Sequence, residues 1–136
     1  MLYLDSSALA KLHIAESGAD QVKALVQAYA GQLFTSVVTW AEVHSALARY
    51  WRERRISHPQ YQLQRRGFAA DWSMLHAIDV NLPVLAPAGR LIELHALRAY
   101  DAIQLCSALW IGRPLFACFD ERLRRAAAAE GLSVAP

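Results

Sequence analysis

Four carboxylates in this 136-residue chain occupy positions from which side chains do chemistry. Asp5 ends the apolar run "MLYL" and is followed by Ser6 and Ser7. Glu42 lies in "SVVTWAEVHSALAR", just past the apolar run "LFTS". Asp101 heads "DAIQLCSALW", which is apolar nearly all round at helical spacing, and Asp120 ends "PLFACF". Each acid stands where a strand passes into a helix or where a buried helix begins. In open parallel sheets, sites form beyond the carboxyl ends of the strands; if these helix starts converge on one sheet edge, the four acids share a pocket. Neighbouring anions stay ionised together only beside cations, and a set of carboxylate oxygens suits Mg²⁺ or Mn²⁺. Each acid also has a plainer use. Aspartate near a helix start caps free N–H groups and suits the positive end of the dipole. "TWAE" matches a capping box, with Thr39 as cap and Glu42 at the third helical position. Taken singly, the acids are open to both readings; the set, in this order, favours the metal site.

The apolar runs "MLYL", "LFTS", "PLFACF" and "LSV" read as short strands. They are continuous rather than alternating, as in a sheet covered on both faces. Helical spacing predicts a helix from Ser6 or Ser7 to about His13, and a second over "ADQVKALVQAYA" closed by Gly31. A third begins at Val38 and buries Trp40, Val43, Leu47 and Tyr50. It stops around "RRISHP", because Pro59 disfavours helix in the residue before it. A fourth runs from about Gln60 to His76 on Phe68, Trp72 and Leu75. "IDVNLP" holds a short strand or a turn. Two helices flank a break at Leu97–Tyr100, and "ERLRRAAAAEG" is a last helix closed by Gly131. Strands alternating with helices predict an α/β fold with a mostly parallel sheet and helices on both faces.

Composition bounds the rest. At 55% hydrophobic and 19% charged the chain is globular, and its length suits one domain over residues 1–136. A net charge of +2 gives no global attraction to nucleic acid, so such binding must rest on local clusters. Arg49, Arg52, Arg54, Arg55, Arg65 and Arg66 crowd one segment, with Trp51 and Tyr61 among them; Arg122, Arg124 and Arg125 follow Asp120. Arginines grip phosphate and aromatics stack on unpaired bases, which makes Arg49, Arg52, Arg55 and Arg124 candidate RNA contacts. A solvated helical hairpin with packed aromatics explains the first cluster equally well. Of the four tryptophans, most are expected in the core and one or two at interaction surfaces. Cys106 and Cys118 form no C-x-x-C pair, and His13, His44, His58, His76 and His95 include no pair four apart, so neither a disulfide framework nor a zinc site is expected. Gly-rich phosphate loops are absent. No signal-like segment or bilayer-length apolar run occurs, which predicts a cytoplasmic protein with no membrane partner.

In order, "YLDSSALAKL", "SVVTWAEVHSALAR", "LRAYDAIQLCSAL" and "FACFDERLRRAAAAEGL" resemble the successive motifs of PIN-domain ribonucleases, and more narrowly of VapC-type toxins of bacterial type II toxin–antitoxin pairs. The resemblance covers nearly the whole chain. It implies a three-layer α/β/α PIN-like fold around four or five short strands, and an endoribonuclease dependent on Mg²⁺ or Mn²⁺. It places the family's four acids on Asp5, Glu42, Asp101 and Asp120, as catalytic and metal-binding residues, and its hydroxyl residue on Ser6, with Ser7 beside it. Asp5, Asp101 and Asp120 would hold a first ion; Glu42 would hold a second or orient water. Such ions generate hydroxide at neutral pH and offset the charge of a phosphorane-like transition state. The resemblance also implies an antitoxin whose C-terminal tail covers the acidic groove, and a homodimer.

One departure stands out. The family often has Ser or Thr two residues before its fourth acid, where this chain has Cys118, a weaker hydrogen-bonding group expected to pack as a small core residue. Lys11, about one and a half turns after Ser6, is expected to be a solvated helix residue. Two rival functions keep the fold. An aspartyl phosphotransfer domain wants a second Asp two residues after the first, where Ser7 stands. A non-catalytic binding module would use the acids as caps alone.

Overall fold

Leu2, Tyr3 and Leu4 are fully buried in the computed structural model, which describes residues Met1 to Pro136. They form β1 (Leu2–Leu4). Leu2 and Leu4 pack into one core and Tyr3 into another, so no position on the strand is free for a polar side chain. The chain continues through α1 (Ser6–His13), α2 (Ala19–Ala28), β2 (Leu33–Ser36), α3 (Thr39–Arg52), α4 (His58–Asp71), β3 (His76–Ile78), α5 (Leu82–Leu85), α6 (Ala88–His95), α7 (Ala99–Trp110), β4 (Leu115–Ala117), α8 (Glu121–Ala129) and β5 (Ser133–Ala135).

The five strands lie in the order β3-β2-β1-β4-β5, and every neighbouring pair is parallel. Leu2 pairs with Leu33 on one side and with Leu115 on the other. The first three strands step outward one way from β1, and the last two lie on its other side. The crevice of a parallel sheet opens at such a reversal, beyond the carboxyl ends of the strands. Asp5 follows β1 there, and Asp120 follows β4.

Helices cover both faces, as three layers require. One core gathers Ala8 and Leu9 of α1, Val22 of α2, Val43 and Leu47 of α3 and Phe68 of α4 around Leu2, Leu4 and Ala117. The other gathers Val84, Leu91, Leu105, Cys106 and Leu123 of α5 to α8 around Tyr3, Phe116 and Cys118. The rings of Tyr3 and Phe116 stack at 5.4 Å between centroids, which ties β1 to β4. Truncating fully buried Phe68 to alanine is expected to cost about 3–5 kcal/mol.

Several local expectations need correction. Thr39 does not cap α3. The cap position is Val38, without a side-chain bond, and the buried Thr39 hydroxyl turns inward to Thr35 and Gln104. Helix α4 starts at His58, under a complete capping box of Ser57 and Gln60 that places Pro59 in its first turn, where no N–H is missed. It ends at Asp71 rather than His76. A short 3₁₀ turn, Trp72–Met74, lets His76 enter β3 and pair with Phe34. "IDVNLP" supplies the end of β3 and then Asn81, whose side chain caps the unforeseen α5 by accepting from the Val84 N–H. The tryptophans are not mostly core: Trp40, Trp51 and Trp110 are well exposed. No helix is long and apolar enough to cross a membrane.

Candidate active site

Asp5 is positioned by three donors from two strand ends. Its Oδ1 accepts the Ala8 N–H at 3.0 Å, capping α1, and the Ser7 hydroxyl at 2.7 Å. Its Oδ2 faces the Cys118 thiol at 3.4 Å. Ser7 in turn accepts the Phe119 N–H at 2.8 Å, so one hydroxyl joins the residues after β1 to those after β4. The carboxyl is 3% exposed. Burial lifts it from the ordinary aspartate range to about 6, against the pull of these donors towards the ionised form. Cys118 therefore keeps a polar contact that its side chain alone did not promise, although burial and the Asp5 charge push the thiol well above its usual range.

Glu42 sits in the first turn of α3. Its Oε2 accepts from Gln104 Nε2 at 2.6 Å. Burial raises its carboxyl, the bond from Gln104 and one from Ser6 oppose that rise, and the charge of Asp101 adds to it. Asp101 occupies the first turn of α7. Burial raises its carboxyl first, then the charge of Asp120, with the Arg98 backbone N–H lowering it. Asp120 is exposed at the start of α8 and accepts the Leu123 N–H at 2.8 Å. Capping is thus a real role of Asp5 and Asp120, but not of the "TWAE" pair.

A groove of about 700 Å³ opens beside Glu42 and Asp120. Ser6, Ser7, Glu42, Asp120 and Tyr100 line it near the strand ends, and it runs between α1 and α3 towards Arg49 and Tyr50. Arg49 is exposed, lies in the groove wall and forms no ion pair. Arg52 is exposed at the end of α3. Arg55 is committed elsewhere: it reaches Glu16 at 3.2 Å and lies over the Tyr50 ring at 3.8 Å. Arg124 pairs with Glu121 on its own helix and lies outside the groove wall. Lys11 is not simply solvated. It lines the groove, contacts Glu16 at 3.4 Å and sits over the Phe119 ring at 4.5 Å. Gly18 makes room for that ring: a Cβ there would lie 2.5 Å from it, and its φ of +94° favours glycine independently.

The donor set has the chemistry of a hard cation site. Asp5, Glu42, Asp101 and Asp120 form no salt bridge, and three of the four carboxyls are held above their ordinary range. Their spacing is wider than direct coordination: no three Asp, Glu, His or Cys side chains stand close enough to hold an ion between them. Mutual repulsion opposes closer approach until a positive charge offsets it. The residues therefore fit a divalent ion by charge and by donor type.

Behind Glu42 lies a buried network that residue spacing does not reveal. Tyr3 Oη donates to Gln104 Oε1 at 2.7 Å, and Gln104 Nε2 donates to Thr39 Oγ1 at 2.8 Å as well as to Glu42. Thr35 donates to the Leu4 carbonyl at 2.7 Å, and the Thr35–Thr39 hydroxyl contact is 2.8 Å. The available signal was a lone glutamine inside a helix apolar nearly all round, since a buried amide needs partners.

Comparison with known proteins identifies the family and the fold. The PIN domain family profile matches residues 2–129. Two proteins of Mycobacterium tuberculosis, Ribonuclease VapC45 and Ribonuclease VapC49, are each 33% identical to the chain over its whole length and 95% of theirs. Ribonuclease VapC47 of the same organism is 31% identical over 90% of the chain and 87% of its own. Among solved structures, FitAcB from Neisseria gonorrhoeae superposes with a TM-score of 0.76 over 100% of this chain and 97% of that one; at 16% identity the likeness concerns the fold.

Proposed function

The chain belongs to the PIN-domain family and to its VapC-type ribonucleases, the toxins of toxin–antitoxin pairs, and we propose that it cuts RNA with a divalent cation, Mg²⁺ or Mn²⁺, bound among Asp5, Glu42, Asp101 and Asp120. One observation carries the metal dependence: four carboxylates, none of them in a salt bridge, gather at the reversal point of the sheet, and two of them, Glu42 and Asp120, line the groove there. Such an ion supplies charge neutralisation at the phosphate and hydroxide at neutral pH.

The chain's own groups do the positioning. The Ser7 hydroxyl, the Ala8 N–H and the Cys118 thiol fix both oxygens of Asp5. Gln104 and Ser6 favour the ionised form of Glu42. Arg49 offers an unpaired guanidinium to a phosphate further along the groove, with Arg52 beyond it at the end of α3. Arg55 and Arg124 are weaker candidates for RNA contact because carboxylates already occupy them. Tyr100, exposed beside the acids, presents a ring to an unpaired base.

Residues 1–136 act as one catalytic domain in this reading. A protein antitoxin shields the acidic head of the groove, a second copy of the chain completes a homodimer, and the complex works in the cytoplasm. The decisive experiment incubates single-stranded RNA with the purified chain, with and without Mn²⁺, beside Asp5→Asn. Cleavage that needs the ion and disappears in the folded variant supports the reading. Equal cleavage by both proteins, or cleavage undiminished by chelator, removes it.

A further inference from the structure

Gln104 is 1% exposed, in the middle of α7, and all of its amide is in use. Its oxygen accepts the Tyr3 hydroxyl, one N–H goes to Thr39 and the other to Glu42. The hydrogen count then orders the whole network. Thr35 has one hydrogen, which the Leu4 carbonyl takes at 2.7 Å. The 2.8 Å contact between the two threonines is filled by the Thr39 hydrogen, and the Thr39 oxygen remains free to accept from Gln104. A network satisfied at every member admits one arrangement and resists others.

Its placement matters more than its stability. Tyr3 and Leu4 precede Asp5 directly on β1, Thr35 belongs to β2, and Thr39 and Glu42 share the first turn of α3. The network therefore clamps the strand that carries Asp5 to the helix turn that carries Glu42, and Gln104 is the only member bonded to a site carboxylate. Its amide engages Oε2 of Glu42 and so restrains the swing of that carboxylate at the strand end that leads into Asp5. Surface carboxylates on helices have no such constraint.

We propose that Gln104 is a positioning residue for the reaction: through its bond to Glu42 and its anchor on Tyr3, it sets the distance and orientation of the second acid with respect to the first. This rests on the ribonuclease reading above. Holding a reacting constellation in place affects the transition state more than substrate binding, so the signature falls on kcat.

The test uses Gln104→Met, which keeps length and removes both N–H donors and the acceptor, together with Glu42→Gln and the double variant. Two quantities are read: RNA cleavage kinetics, and the Mn²⁺ dissociation constant of the RNA-free protein by electron paramagnetic resonance. The expected result is a kcat reduced about ten-fold or more in Gln104→Met with KM within about two-fold, and Mn²⁺ binding weakened several-fold. In the Glu42→Gln background the same substitution changes neither quantity further, because the carboxylate that Gln104 positions is already gone. Additive losses in the double variant would show that Gln104 acts through the core at large and would overturn the proposal. So would wild-type kcat and Mn²⁺ affinity in Gln104→Met. Should that variant unfold, Tyr3→Phe removes only the hydroxyl that anchors the amide, and the same cycle with Glu42→Gln decides. If the wild-type chain fails to cleave RNA at all, the ribonuclease reading falls, while the Mn²⁺ cycle still judges the clamp.

Discussion

The Ser7 hydroxyl donates to Asp5 Oδ1 at 2.7 Å and, through the same oxygen, accepts the Phe119 N–H at 2.8 Å. A carboxylate buried after one strand is thereby tied to the backbone after another. The arrangement keeps Asp5 in place although burial works against its charge, and that opposition has measurable consequences.

In chelator, Asp5→Asn is expected to stabilise the fold. The carboxyl lies near 6 when folded and near 3.8 as a free side chain. A carboxyl raised on folding favours the native state below its unfolded value, and that advantage is lost as pH climbs from about 3.8 to 6. Above that window the charge costs up to about 3 kcal/mol, at roughly 1.4 kcal/mol per unit. Asparagine keeps the acceptor for Ala8 and Ser7 and carries no charge. Thermal unfolding at pH 7.5 checks this: the variant should melt several degrees higher, and a lower melting point would contradict it.

Mn²⁺ should reverse that order. A cation that binds the folded state alone stabilises in proportion to the logarithm of its concentration over its dissociation constant, about 2.7 kcal/mol at a hundred-fold excess. Wild-type protein titrated with Mn²⁺ is expected to gain melting temperature steadily. Asp5→Asn and Asp101→Asn should respond weakly, and an identical response from all three would speak against these residues as ligands.

Arg49→Ala should raise KM several-fold and leave kcat within about two-fold, because the guanidinium lies along the groove rather than at its acidic head. It should also reduce the salt dependence of RNA binding by close to one counterion. Fluorescence anisotropy across a salt series measures the slope; an unchanged slope would remove Arg49 from the phosphate path. Arg124→Ala, by contrast, should leave the slope as it is.

Outside the groove, Glu130 gathers Arg90 and His95, and their bonds hold its carboxyl down to about 2. A carboxyl depressed on folding contributes stability above its ordinary value of 4.5, and the contribution fades as pH falls from there towards 2. Glu130→Gln should therefore melt a few degrees lower than wild type at pH 7, and the gap should narrow by pH 3. A pH-independent gap would mean that packing, rather than charge, explains the loss.

The parts of this architecture that sequence conveys are those set by burial. "LYL" could only be a strand covered on both faces, and the helix from Ala99 had to be interior because it is apolar nearly all round. The four acids were legible as a set because each follows an element boundary. Thr39 was misread because a capping box is a local pattern, whereas its hydroxyl answers to Thr35 and Gln104, distant in sequence. The short helix at Leu82–Leu85 spans barely one turn and leaves no periodicity to detect. Arg55 and Arg124 looked like free phosphate contacts because composition counts charge without showing which carboxylate has already taken it.

Strand order has a last consequence, for the chain while it is being made. Leu2 pairs with Leu115, the Asp5 N–H donates to the Ala117 carbonyl, and the thiol that meets Asp5 lies 113 positions downstream. The strand that leads into the first acid is synthesised long before β4, its central neighbour. Such distant pairings are also the slow ones. A nascent or truncated polypeptide holds Asp5 and Glu42 without Asp101, Asp120 or the second flank of the sheet. The four carboxylates share one edge only after β4 has joined β1.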